Sequence, residues 1–342
     1  MPQTIDPDHT LPSEALLPFI IGPWLSQALF VAAKLGVADL LRYAPQSCVA
    51  LADVTKMDEQ SLYRILRALA SVGIFAEDEN RRFRMTPMAM PLQTGVPGSL
   101  RSYAIMIGEG WHWQPWGEIL QSVKTGRPAF EHVFGASLSD YLAQHPDAGR
   151  ILAEALDGKS TIENDSIVSA YDFASSRTIV DVGGGKGTCL TSILTANPGA
   201  KGILFDLPHV IDMARPAIEA SGLASRCTLM AGNFFESVPS GGDVYILKKI
   251  VQNWDDDRAR LIQGCCRTAI PTNGRLLTIE FVIPPGNEPS FGKLLDLLLL
   301  IWTGGKERTD AEHQDLLSTT GFKPNQIIPT ASALTIIESL PI

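Results

Sequence analysis

Ile179-Val180-Asp181-Val182-Gly183-Gly184-Gly185-Lys186-Gly187 is a short apolar strand running directly into a glycine-rich turn, and an apolar helical stretch follows from Thr188. Glycines at such a turn let the chain bend tightly and let the backbone approach a ligand without Cβ clashes. The turn alone suits a dinucleotide, another adenosyl ligand, or a plain packed loop. Its spacing is G-x-G-x-G, which departs from the dinucleotide fingerprint G-x-G-x-x-G. Asp206 ends the next apolar run, nineteen residues after Gly187, where a carboxylate is placed to accept both hydroxyls of a ribose.

Working outward, short apolar runs alternate with helical stretches after residue 176. The runs are Thr178–Val182, Gly202–Leu207, Cys227–Met230, Val244–Lys248 and Leu276–Val282. This alternation predicts a largely parallel sheet covered by helices. Two further strands, Gln326–Pro329 and Leu334–Glu338, are separated by four residues, so at least one late strand is expected to run antiparallel.

From Ser13 to about Leu156 the pattern is helical, and the boundary between domains is expected near Tyr171–Arg177. Leu62, Ile65, Leu66 and Leu69 share one helical face, with Asp58 as a cap before it and Gly73 as a stop after it. Ile74–Phe75 and Arg82–Met85 then flank the polar turn Asp78-Glu79-Asn80, completing the order of a winged helix. Residues 1–95 carry eight Lys or Arg against ten Asp or Glu, a poor match to a phosphate-tracking face. The segment Leu11–Leu41, with Phe19, Ile20, Ile21, Trp24 and Phe30, reads instead as a hydrophobic pairing surface.

Composition sets the outer bounds. At 342 residues two domains are the natural expectation, and 45 % hydrophobic with 19 % charged residues is ordinary for a globular chain. A net charge of −9 opposes general affinity for nucleic acid or an anionic membrane. No secretory leader pattern opens the sequence, and the apolar run Leu294–Trp302 is interrupted by Asp296, so no membrane span is expected. Five cysteines without CxxC spacing read as buried thiols of a cytoplasmic protein, and no metal site is expected.

Several ordered stretches resemble the plant-type small-molecule O-methyltransferases and their bacterial relatives from natural-product pathways. They are LYRILRALASVGIF (62–75), WGEILQSVKTGRPAFEHVFG (116–135), DVGGGKG (181–187), FDLP (205–208), GNFF (232–235), LKKIVQNWDDDRA (247–259), LLTIEFVIP (276–284) and GGKERTDAE (304–312). The resemblance implies an α/β fold: a seven-stranded, mostly parallel Rossmann-like sheet with an antiparallel last strand, preceded by an all-helical winged-helix dimerisation domain whose wing is the pair of short strands. The implied division is 1–100 for dimerisation, 101–175 for a helical linker and substrate-pocket region, and 176–342 for binding of S-adenosyl-L-methionine (SAM). A homodimer acting on a small aromatic molecule follows from the same likeness.

By that resemblance Gly183, Gly185 and Asp206 contact SAM, Asn233 and Phe234 lie beside its adenine, and Lys248 sits near it. Lys248 reads equally well as a solvated strand-end lysine. Asn233 stands where the family usually has Asp. In the family a histidine in an H-D-W-D-D stretch removes the acceptor's proton. Here that stretch reads Gln252-Asn253-Trp254-Asp255-Asp256, and an amide is no base at ordinary pH. The two flanking family glutamates correspond to Glu280 and Glu307. Asp255–Asp257 reads as the acidic start of a helix.

Three accounts of Gln252 follow: an acceptor that arrives ionised and reacts by proximity and desolvation, a different base such as His112, or SAM-bound chemistry without methylation, as in hydroxylase- or pericyclase-like relatives. Transfer to carbon or nitrogen is the nearest variant of O-methylation, and a SAM-sensing winged-helix regulator is the non-enzyme alternative. Met106, Trp111, Trp113, Trp116, Phe130, Leu300 and Trp302 are the candidates for an apolar substrate pocket, each equally readable as core.

Overall fold

The computed structural model describes residues 11–342. The reading of the extreme N-terminus as leaderless falls partly on residues 1–10, outside the described range. The chain divides into two compact units, one of residues up to 113 with 145–159, the other of 114–144 with 160–342.

The first unit is helical with a small sheet. The helix Glu59–Ser71 is capped by Asp58, whose carboxylate accepts from the Ser61 N–H at 2.9 Å, and it buries Leu62, Leu66 and Leu69. Phe75–Glu77 and Arg82–Met85 pair antiparallel as the wing, and the two-residue strand Gln46–Ser47 adds a third member. The helix Pro12–Lys34 packs on Arg101–Gly108, where Gly108 permits close approach: a Cβ there would lie 2.0 Å from the Phe30 ring. Phe30 is thus committed within the unit, while Phe19, Ile20 and Trp24 are 71 %, 63 % and 73 % exposed.

The helix Pro12–Lys34 has 23 residues and a mean hydropathy of 1.7, long and apolar enough by length and composition to cross a membrane. Pro12, Pro18, Pro23, Ser26 and Gln27 break up its apolar run in the sequence, yet the helix is continuous through them.

The second unit is built on seven strands: β1 (Thr178–Val182), β2 (Lys201–Asp206), β3 (Cys227–Ala231), β4 (Val244–Lys248), β5 (Arg275–Glu280), β6 (Phe322–Pro329) and β7 (Thr335–Pro341). Their order across the sheet is β6-β7-β5-β4-β1-β2-β3. All neighbours pair parallel except β7, which runs antiparallel to both β5 and β6. Period-two alternation splits the strands between two cores: Ile179, Leu204, Ile246 and Leu277 face one, and Val180, Phe205, Tyr245 and Leu276 the other.

The run Leu276–Val282 does not stay one strand. It leaves the main sheet after Glu280, and Val282–Ile283 pairs parallel with Arg308–Thr309, in the register Val282 to Arg308. That two-residue ladder joins the segment after Glu280 to the segment after Glu307.

Candidate active site

The glycine turn lies where β1 ends, between β2 and β4. Gly183, Gly185 and Gly187 all have positive φ, at 70°, 59° and 76°, the region that glycine enters without steric cost. A Cβ on Gly183 would lie 2.6 Å from Ile250 and 3.3 Å from the Phe234 ring, so this glycine lets three segments converge. A Cβ on Gly185 would meet nothing within 4 Å. The Gly185 N–H donates to Asp206 Oδ2 at 2.9 Å, and the Leu207 N–H to Oδ1 at 2.7 Å. Each Asp206 oxygen keeps a lone pair, which fits acceptance of ribose hydroxyls.

Asn233 turns its side chain on its own loop. Its Oδ1 accepts from the Phe235 N–H at 3.0 Å, and its Nδ2 donates to Glu236 at 3.1 Å. Phe234 stacks edge-on with Phe235 at 4.9 Å and stands beside Gly183.

Lys248 is only 11 % exposed at its side chain, which excludes the solvated reading. It donates to Asn164 Oδ1 at 2.6 Å and pairs with Glu163 at 3.4 Å. Lys249, whose φ is 56°, donates to both Glu163 oxygens at 2.6 and 2.7 Å. Burial lowers the Lys249 pKa, and Glu163 opposes that shift. Asp181 is fully enclosed under this cluster. Burial raises its carboxyl to about 7, opposed by Lys248 and reinforced by Asp206.

At the other end of the site, Val251–Asn253 forms one 3₁₀ turn. Glu280, 1 % exposed at the end of β5, anchors it. Its Oε1 accepts from the Val251 N–H at 2.8 Å and the Gln252 N–H at 3.2 Å. Arg308, equally buried, fixes the turn from its opposite side: it donates to the carbonyls of Val251 (3.1 Å) and Trp254 (2.9 Å) and to Asp256 (2.8 Å). Asp255 caps the helix Asp256–Ala269 by accepting from the Arg258 N–H at 2.8 Å, as an acidic helix start should.

Gln252 is buried, and its Oε1 has no hydrogen-bond partner among the described residues. The same holds for Glu280 Oε2 and both carboxylate oxygens of Glu307. Burial raises Glu280 to about 7, against the N–H donors of Gln252 and Val251 and the Arg308 charge. Burial raises Glu307 to about 9, reinforced by Glu280 and Asp296 and opposed by Lys249 and Arg308. The Glu307 N–H is held by Asp296 Oδ1 at 2.8 Å.

His112 is 1 % exposed, in the first unit, and burial pulls its imidazole down to about 4. Met106 and Trp111, of the same unit, are buried, and Trp113 is half-buried. In the second unit Trp302 is buried and Trp116 half-buried. Three contributors went unassigned in the sequence reading: Arg308, Asp181 and the Glu163/Asn164 pair. Nothing local marks Arg308 as a core residue, because most of its acceptors are backbone carbonyls. Nothing local marks residues 163 and 164 as partners of lysines 84 and 86 positions away.

A glycine turn at a strand end, an acidic residue closing the next strand, and one antiparallel strand in a seven-stranded sheet define a SAM-dependent methyltransferase. More narrowly, the chain belongs to the natural-product O-methyltransferase family: its O-methyltransferase domain matches residues 116–323 and its O-methyltransferase dimerisation domain residues 18–94. The chain is 44 % identical over 330 residues to the phenazine O-methyltransferase PhzM of Lysobacter antibioticus, spanning 96 % of each. The LaPhzM crystal structure, also 44 % identical, matches with a TM-score of 0.92 over 97 % of this chain and 100 % of that one. NcsB1, an O-methyltransferase of neocarzinostatin biosynthesis solved with SAM and 2-hydroxy-5-methyl naphthoic acid, is 28 % identical, with a TM-score of 0.81 over 93 % of this chain and 96 % of that one.

Relatives with other chemistry belong to the same family. The phenazine-1-carboxylate N-methyltransferase of Pseudomonas aeruginosa is 32 % identical over 313 residues, 92 % of each chain. The aclacinomycin 10-hydroxylase RdmB of Streptomyces purpurascens is 34 % identical over 305 residues, 86 % of this chain and 80 % of that one. This chain is therefore a SAM-dependent methyltransferase of secondary metabolites, with SAM as cofactor and a dimerisation domain at residues 18–94.

Proposed function

We propose that the chain methylates a hydroxyl oxygen on an aromatic or polyketide-like small molecule. Bound SAM supplies an electrophilic methyl group. The residues of this chain hold the acceptor oxygen in line, keep water out and dispose of its proton. In this reading Gly183, Gly185 and Asp206 hold the cofactor's methionine and ribose, and Phe234 offers an apolar face to adenine. Trp116 and Trp302 give apolar surface suited to an aromatic acceptor.

One observation carries the proposal. Glu280 and Glu307 stay buried with oxygens that no described residue satisfies, at a desolvation cost that a polar ligand would offset. The phenazine and naphthoic acid named for relatives support an aromatic acceptor. A second reading, SAM-bound chemistry without methylation, is favoured by Gln252 at the histidine position and by the hydroxylase relative. Incubation with methyl-labelled SAM and hydroxylated phenazines and naphthoates tests the choice, with NMR locating the label. Label on oxygen supports the proposal; label on nitrogen or carbon moves it to those variants; intact SAM with an oxidised product rejects it.

A further inference from the structure

Proximity and desolvation place an acceptor hydroxyl but leave its proton unassigned, because the side chain at position 252 is an amide. Three side chains from separate elements leave buried oxygens without a hydrogen-bond partner: Gln252 Oε1 on the 3₁₀ turn, Glu280 Oε2 at the end of β5, and both oxygens of Glu307. They are 6 %, 1 % and 3 % exposed. The ladder Val282–Ile283 with Arg308–Thr309 brings the two glutamate segments together, and Gly305 presses the second of them on the backbone of Gln252 and Asn253.

These groups are not equivalent. Glu280 already spends Oε1 on two backbone N–H groups, and an amide oxygen is a negligible proton acceptor at ordinary pH. Glu307 has both carboxylate oxygens uncommitted, while its own N–H is pinned by Asp296. The charged groups around it are Glu280 from β5, Asp296 from the helix Phe291–Trp302, Lys249 from the loop after β4, and Arg308 beside it. Arg308 is held by carbonyls and Asp256, so its position is fixed.

We propose that Glu307 takes the proton of the acceptor hydroxyl, with Glu280 and Gln252 as positioning residues. This rests on the O-methyl reading above. The acceptor O–H bond breaks with its electron pair kept on oxygen, and the proton passes to the Glu307 carboxylate. The oxygen then forms its bond to the methyl carbon as the S–CH₃ bond breaks, that pair staying on sulfur. The proton leaves Glu307 to solvent with the product. Two buried like-charged carboxyls titrate as a pair that retains about one proton near neutrality. A carboxyl raised to about 9 is close to a phenol near about 10, and its carboxylate form, which acts as the base, is populated as pH rises through that value.

The test uses the full-length protein with two probes, a hydroxyphenazine and a fluorinated analogue whose hydroxyl ionises below neutrality. Glu307→Gln should lower single-turnover methylation of the first by about 10²- to 10⁴-fold, and the deficit should narrow at least tenfold on the second. Glu307→Asp should recover part of the loss. With S-adenosylhomocysteine in place, the wild type should gain the phenolate absorption band of the bound hydroxyphenazine as pH rises through about 9, where the Glu307 carboxylate becomes ionised, and Glu307→Gln should gain it only nearer the acceptor's own value. Calorimetry with SAM checks that the variants are folded; if Glu307→Gln is not, the same comparisons are made with Glu307→Asp. Equal loss on both probes, no loss on either, or an unchanged phenolate band overturns the assignment. A wild type that forms a Glu307-dependent phenolate yet yields no methyl ether overturns only the O-methyl reading.

Discussion

A Cβ on Gly305 would lie 2.1 Å from the carbonyl oxygen of Gln252 and 2.5 Å from the carbonyl carbon of Asn253, so the Glu307 loop and the 3₁₀ turn touch backbone to backbone. Neither partner has a flexible side chain to yield. Gly305→Ala should therefore move the loop and carry Glu307 away from Gln252. The expected loss of stability is about 1–3 kcal/mol, the usual cost of overpacking. Methylation should fall more than stability suggests, by at least about tenfold, because catalysis is sensitive to small misplacements. Thermal melting and single-turnover rates check both, and an unchanged rate would refute the positional role of Gly305.

The contrast between Gly183 and Gly305 shows what the sequence made legible. Gly183 sits in an apolar strand followed by glycines at short spacing, a local pattern with a local cause, and the strands around it follow from periodicity. The late hairpin was legible for the same reason, from Gln326–Pro329 and Leu334–Glu338 at four residues' separation. Gly305 is needed only because residues 252 and 253, fifty positions earlier, come to lie against it. The ladder at Val282 and Arg308 is two residues per strand, too short for any periodicity. Arg308 is a core arginine whose acceptors are mostly backbone carbonyls, and carbonyls leave no trace in residue identity. Lys248 was readable as solvated because its partners Asn164 and Glu163 come from a distant helix.

Asp206 supports the turn through the Gly185 N–H, and in the proposed reading it also accepts the cofactor's ribose hydroxyls. Asp206→Ala should weaken SAM binding by about 1.5–3 kcal/mol, the cost of losing hydrogen bonds to a charged acceptor. Calorimetry measures this directly. Affinity equal to wild type would remove Asp206 from the cofactor site.

The exposed Phe19, Ile20 and Trp24 lie within the dimerisation domain at residues 18–94. Light scattering should give twice the 37.0 kDa chain mass at micromolar concentration. Trp24→Asp places a charge on this apolar face and should shift the particle toward the single-chain mass. A dimer equally stable in that variant would place the interface elsewhere.

Buried acids give stability a pH dependence of known sign. Glu280 and Glu307 bind protons more tightly folded than unfolded, with folded values of about 7 and about 9. Their contribution is fully present below the unfolded carboxylate range and is lost as pH rises through those folded values. Glu307→Gln removes much of that penalty. At pH 9, without ligands, the variant should be more stable than wild type by about 1–3 kcal/mol, and at pH 5 the two should be close. Chemical denaturation at both pH values decides; a variant less stable at pH 9 would contradict a buried, uncompensated Glu307.

By the family resemblance, Gln252 stands where a base histidine is expected. Its backbone N–H is held by Glu280, a bond that Ala or His at this position leaves in place, while its side-chain Oε1 is buried with no partner among the described residues. Truncation therefore removes an unsatisfied acceptor as well as packing. Gln252→Ala should keep at least about a tenth of wild-type activity, far from the 10²-fold or larger loss of a general base. Gln252→His restores the family residue. If Glu307 already takes the proton, the imidazole adds a redundant base, and the rate at pH 8 should change by less than about tenfold. If proton removal is instead unassisted and rate-limiting, the same substitution should accelerate methylation by about 10²-fold. The pH–rate profiles separate the cases. A wild-type rate that follows only the acceptor's own pKa would assign the reaction to a pre-ionised acceptor. A limb that follows an enzyme group between about 7 and about 9, and disappears in Glu307→Gln, would assign it to the glutamate pair. A wild-type limb near about 6.5 that vanishes in His112→Ala would transfer the role to His112, against the burial that holds its imidazole at about 4. The expected outcome is the glutamate limb, a mild Gln252→Ala and little gain from Gln252→His.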